Sequence, residues 1–179
     1  SSDSTKSSKV SIDNYSIILA VQYEQTFTAD QWKDWIRGVC LAVISQAPSI
    51  IIRKCYSFAQ SCSGFAQRLL HAAFLMCWNQ ISTSTRFVIC KSLNSALVDD
   101  ETPMHVLTQI VRLAEFMEKT EKHLDISYDE LAKAAFRAEK LPFALFCAQK
   151  TLDSSKLSIT AVEMILQIYS QLALEDDVH

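Results

Sequence analysis

Glycine and proline are nearly absent, with 2 Gly and 3 Pro among 179 residues. Tight hairpins, strained catalytic loops and phosphate-cradling turns are built from these residues, so their scarcity excludes a β-sandwich, a dinucleotide-binding sheet and a P-loop. An excess of positive charge is missing too. The formal net charge is −3 and the pI about 5.8, which leaves no basic balance for a phosphodiester backbone. Nucleic acid is therefore not an expected partner, and an acidic substrate is disfavoured on the same ground. No stretch reads as a membrane span. The longest uncharged run, Leu69 to Thr85, contains His71, Asn79, Gln80 and a Ser/Thr run that would be costly to desolvate in lipid, so it reads as buried core. Ser1 to Asp13 is Ser-rich, lacks the apolar stretch of a signal peptide, and reads as a solvated linker. A C-x-x-C spacing is also missing. Each of the six cysteines (Cys40, Cys55, Cys62, Cys77, Cys90, Cys147) falls in an apolar helical stretch, where a free thiol behaves as a small hydrophobe. Reduced, buried thiols imply the cytosol or the nucleus.

What is present is helix. Apolar residues make up 49% of the chain and charged residues 21%, too apolar for disorder and enough for one or two cores. Ser and Thr recur where apolar periodicity restarts, and about eight helices follow from that punctuation. Thr28 is expected to cap a helix running through Trp32, Trp35, Ile36, Val39, Leu41 and Val43 to about Ser45, where Pro48 then breaks the chain. One helix from Ser49 to Ser61 follows. The next opens after Ser63 and Gly64, is apolar nearly all round through Leu69, Leu70, Phe74 and Trp78, and is expected at the centre of the first core. A fourth starts near Thr83 or Ser84 and carries Phe87, Val88, Leu93, Ala96 and Leu97 to an acidic turn at Asp99–Glu101. Thr102 is expected to cap the fifth, with Pro103 at its first helical position; Val106, Ile110, Leu113 and Met117 share a side, and Glu115 pairs with Lys119. Ser127 with Glu130 has capping-box spacing. Pro142 marks a turn into Phe143–Leu152, and Ser158 caps a last helix with Ile159, Val162, Ile165, Leu166, Tyr169 and Leu172. Short connections between helices of similar length imply antiparallel neighbours. The fold class is all-α, an α-solenoid of antiparallel helix pairs.

Catalytic chemistry finds no foothold. No nucleophile elbow, kinase catalytic loop or zinc signature occurs. His71, His105, His123 and His179 are far apart, and His71 and Cys77 face different sides of a helix. Glu115 and Glu118 sit among Arg112, Lys119 and Lys122 and read as a solvated face rather than an acid/base pair. Trp32, Trp35 and Trp78 at helical spacing read as core, although exposed tryptophans would serve as partner anchors. No catalytic, cofactor-binding or metal residue is assigned, and the partner-binding residues are not assigned either.

The hairpin Ala135 to Leu152, AFRAEKLPFALFCAQKTL, resembles a tetratricopeptide repeat, with Leu141 at a large position and Ala144 where only a small residue lets the helices touch; Glu139 replaces the usual turn glycine. QWKDWIRGVCLAVI (Gln31 to Ile44), FAQRLLHAAFLMCWNQI (Phe65 to Ile81) and IVRLAEFMEKTEKHLDI (Ile110 to Ile126) resemble, in order, the target of rapamycin (TOR) kinases where the HEAT array gives way to the FAT domain. LAEFME (Leu113 to Glu118) is the most specific piece. The resemblance implies a very large serine/threonine kinase that regulates growth in response to nutrients, with its ATP and magnesium sites outside this segment. It divides the chain into a flexible or unassigned segment 1–27, HEAT-like helical pairs over 28–101, and FAT-type tetratricopeptide-like repeats over 102–179. The implied role is a non-catalytic scaffold contacting neighbouring repeats, the kinase domain, complex subunits such as raptor, and a second copy, in the cytoplasm, with the nucleus and endomembrane surfaces as alternatives. A competing reading is a tetratricopeptide-like adaptor whose groove binds a peptide. A groove lined with Asn, Lys and Arg favours the adaptor; apolar faces at both ends favour a segment of a longer solenoid. A small helical enzyme would need a polar cluster in a deep pocket.

Overall fold

Asp13 stands one residue ahead of an apolar run, and its carboxylate accepts the N–H of Tyr15 at 3.0 Å, which starts α1 (Asn14–Val21). The computed structural model describes residues 11–22, 27–154 and 158–176, with the last two by backbone alone. The helix α1 lies within the 1–27 segment that the sequence leaves unassigned; Ile17 and Val21 are buried. Most of the Ser-rich start lies outside the described residues.

Thr28 accepts the N–H of Gln31 while the Gln31 side chain takes the Thr28 N–H at 2.7 Å, a closed capping box on α2 (Ala29–Gln46). Ser49 starts the next helix as expected, but the single helix over 49–61 is two, α3 (Ile50–Lys54) and α4 (Tyr56–Ser61). The guanidinium of Arg53 turns back to the carbonyls of Ala47 and Pro48 at 2.7 and 3.1 Å, and the Cys55 N–H reaches only three residues back, to Ile52. That tight turn breaks the helical ladder. The chain continues as α5 (Ser63–Trp78) and, after the cap at Ser82, α6 (Thr83–Val98). At α7 (Met104–Lys119) Pro103 is itself the N-cap residue, one position earlier than expected. Thr102 is no cap: its buried hydroxyl donates to the carbonyl of Ala96 at 2.6 Å, tying the turn to α6. Ser127 caps α8 (Tyr128–Arg137), Pro142 sits in the first turn of α9 (Leu141–Asp153), and Ser158 accepts the Ala161 N–H at the start of α10 (Ile159–Asp176).

Helices pack mainly in sequence order. The first lies on α2 and α6, α2 on α5, α5 and α6 on α7, α7 on α8, α8 on α9, and α9 on α10. The result is an all-α solenoid with no strand among the described residues. One apolar cluster runs through it from Ile12 to Ile168. Contrary to the all-round burial expected of α5, its Leu70, Phe74, Cys77 and Trp78 are buried between α2 and α7, while Arg68, Ala72 and Met76 are exposed. Phe87, expected in the core stripe of α6, is also exposed, whereas Leu93, Ala96 and Leu97 are buried. The guanidinium of Arg137 bridges the halves, donating to the carbonyls of Leu97, Asp99 and Asp100 at 3.2, 3.3 and 3.5 Å.

Two helices end in the same motif. Glu121 after α7 and Glu139 after α8 adopt positive φ, 58° and 56°. The N–H of the following lysine reaches five residues back in each case, Lys122 to Met117 and Lys140 to Ala135, which is the Schellman closure. The turn between α8 and α9 thus keeps a left-handed geometry, with glutamate where a tetratricopeptide pattern has glycine. A left-handed L-residue costs about 1–2 kcal/mol, partly offset by the greater unfolded freedom of glycine, so Glu139→Gly is expected to stabilise the chain by roughly 0.5–1 kcal/mol. Urea denaturation measures it, and an unchanged or lower midpoint would contradict the strain.

Candidate binding surfaces

The residues with chemical potential are scattered. His71 of α5 is half-buried and stacks on Phe116 of α7 with ring centroids 5.0 Å apart. Burial pushes its pKa below the ordinary histidine value, and the neighbouring Arg112 guanidinium adds to this. The Cys77 thiol instead lies in the core, 3.5 Å from the carbonyl of Val43. His105 is exposed at the start of α7, and His179 lies outside the described residues. Among the described residues no three His, Cys, Asp or Glu side chains gather as a metal site. All six cysteines are free; Cys55 and Cys62 are half-buried and the other four buried. Burial pushes the Cys40, Cys77 and Cys147 thiols up to about 12 and raises that of Cys90, so all four are neutral near pH 7.

Glu115 and Glu118 do not share the solvated face expected of them. Glu115 pairs with Lys119 at 2.8 Å at the surface. Glu118 is only 15% exposed; it accepts the Tyr128 hydroxyl at 2.8 Å and lies 2.8 Å from His123 Nδ1. Burial, then this carboxylate, pushes the Tyr128 phenol up to about 12. The arrangement joins α7, α8 and the loop between them. Beside it a cleft of about 340 Å³ is walled by Phe143 and Phe146 of α9. Trp32, Trp35 and Trp78 are core, at 2, 6 and 5% exposure. The acidic turn is held by the Asp99 carboxylate on the Glu101 N–H at 2.8 Å.

Two surfaces stand out. Along the seam of α2, α5 and α7 lie adjoining cavities of about 470 and 510 Å³ that share Gln67 and Gln109 in their walls. Lys33 and Arg37 line the first, Arg68 and Arg112 the second. At the far end, α10 turns Ala161 and Ile168 inward and leaves Ile159, Val162, Leu166 and Tyr169 exposed. Their spacing of three and four residues makes a continuous apolar stripe. On α1, Tyr15 and Leu19 are exposed. Of the two discriminating features, the terminal apolar faces are present, and the groove carries the Lys and Arg but no Asn in its walls. The tertiary groove is missed by sequence reasoning because its four cations come from three helices; only the four-residue spacing of Lys33 and Arg37 gives any local signal.

No helix among the described residues is long and apolar enough to cross a membrane. No family model matches the chain. Curated relatives do. The chain is 26% identical over 171 residues to "Serine/threonine-protein kinase tor1" of Schizosaccharomyces pombe, which covers 94% of this chain and 7% of the relative. It is 29% identical over 159 residues to "Serine/threonine-protein kinase TOR" of Oryza sativa subsp. japonica, 86% of this chain and 6% of the relative. Over 153 residues it is 29% identical to "Serine/threonine-protein kinase TOR2" of Saccharomyces cerevisiae, 85% of this chain and 6% of the relative. The chain thus spans 6–7% of the length of these relatives. Aligned over most of its own length and built of stacked helices, the chain is similar to a small part of the TOR serine/threonine kinases.

Proposed function

We propose that this chain is a non-catalytic scaffold segment of a TOR-like serine/threonine kinase, placed where HEAT-like pairs (28–101) give way to FAT-type tetratricopeptide-like repeats (102–179). The observation that carries the reading is the alignment with TOR kinases over 153–171 residues, which spans most of this chain and its stacked helices. A solenoid buries each face against its neighbours, and the exposed stripe on α10 is the kind of face a following repeat covers. In this reading the segment braces the kinase domain in the cytoplasm and offers long, shallow contacts to complex subunits such as raptor or to a second copy. The four neutral buried thiols suit packing rather than nucleophilic chemistry.

The test is the reading frame around this segment in its transcript. Helical repeats continuing into a kinase domain with a catalytic loop are expected downstream. A frame that closes soon after His179, or opens into an unrelated domain, would overturn the assignment to a kinase.

A further inference from the structure

The two cavities on the α2–α5–α7 seam form one groove, because Gln67 and Gln109 line both. Its charge is opposite to that of the chain. Lys33, Arg37, Arg68 and Arg112 line it, and no Asp or Glu does, although the protein as a whole carries a net charge of −3. These cations are not spent on ion pairs: among the described residues the close pairs involve Lys119, Lys133 and His123, none of which lines the groove. Arg37 donates through Nη2 to the carbonyl of Gln60, which orients its guanidinium without neutralising it. The acid that acts on nearby His71, Glu115, is itself held by Lys119 at 2.8 Å.

The floor adds a second feature. Apolar Ile36, Ala66 and Leu70 lie beneath the cations. Gln109 Oε1 is buried there and accepts no hydrogen bond. An amide oxygen left unpaired in this way is destabilising. Single-stranded nucleic acid fits this poorly, since its bases stack on aromatic rings and no Phe, Tyr or Trp lines either cavity.

We propose that the groove binds an extended acidic segment of a partner protein, its carboxylates meeting the Lys33/Arg37 and Arg68/Arg112 pairs. Guanidinium–carboxylate recognition is directional and can be bidentate, which suits a peptide with acids on alternate residues. The inference does not depend on the scaffold reading, because it rests on the groove alone. It also revises the expectation, drawn from net charge, that an acidic ligand is disfavoured.

The probe is a short fluorescein-labelled peptide in which Asp and Glu alternate with Leu, titrated with the 179-residue chain and followed by fluorescence anisotropy. Saturable binding that weakens with added salt is expected, together with about a tenfold loss in the Arg68→Glu/Arg112→Glu double variant. Both arginines are exposed, so the fold tolerates the change, and circular dichroism checks it. Lys54→Glu/Lys91→Glu alters net charge equally at exposed sites outside the groove and should leave affinity unchanged. Equal loss in both variants, equal binding of a Lys-for-acid peptide, or tighter binding of oligo(dT) would each overturn the proposal.

Discussion

Trp78→Ala is expected to destabilise the chain by about 3–5 kcal/mol, the range for large aromatics removed from a core. Trp78 ends α5 at 5% exposure, stacked on Phe74 with ring centroids 5.6 Å apart. The Arg86 guanidinium lies 5.3 Å above the indole and donates to the Trp78 carbonyl at 2.7 Å. Truncation therefore opens a cavity and removes a cation–π contact together, against a total stability of about 5–15 kcal/mol for an ordinary domain. Urea denaturation reads the loss. Phe74→Ala should behave alike, and the double variant should lose less than the sum, because the two rings share one contact. Near-wild-type midpoints would show that α5 is not central to the core.

Ala144→Leu should cost about 1–3 kcal/mol by overpacking. Ala144 has no exposed surface, and it faces the α8–α9 seam, the most extensively packed pair in the chain, where Ala134, Ala135 and Ala148 are likewise buried. Small side chains on both helices bring the backbones close, so three added carbons have no space without moving α9. The expected signature is a lower thermal midpoint with helical content retained. An unchanged melting curve would count against the tetratricopeptide-like packing of this hairpin.

Much of the architecture was legible because helix starts depend on local chemistry. Thr28, Ser127 and Ser158 act on their own next turns, so their role is written in adjacent residues. Thr102 misled for the complementary reason: its hydroxyl is claimed by Ala96, a tertiary partner that spacing does not reveal. Asp13 offered a readable cap for α1, masked by the Ser-rich run before it and the short apolar segment after it. Glu139 was readable as a departure from the repeat pattern, but only the backbone reveals that the left-handed turn persists. Candidate sites fared worse. Glu115 and Glu118 are three apart on one helix, yet one is solvated and the other is enclosed by Tyr128 and His123 from beyond the helix end. The cationic groove is invisible to net charge, since total charge averages over faces that folding separates.

The attachment of α1 has a consequence for the order of assembly. Pairs such as α8 and α9 meet across a turn of a few residues, contacts that form early because little chain entropy is lost in closing them. The first helix differs: the Ser82 N–H donates to Asn14 Oδ1 at 3.3 Å across 68 positions, and the Asp13 N–H to Gln46 Oε1 at 2.9 Å across 33. It has no complete seat until α2 and α6 are both in place. In folding α1 therefore closes the structure late, as a clasp, and in unfolding it is the piece whose release first admits water to the faces of α2 and α6 that it covers.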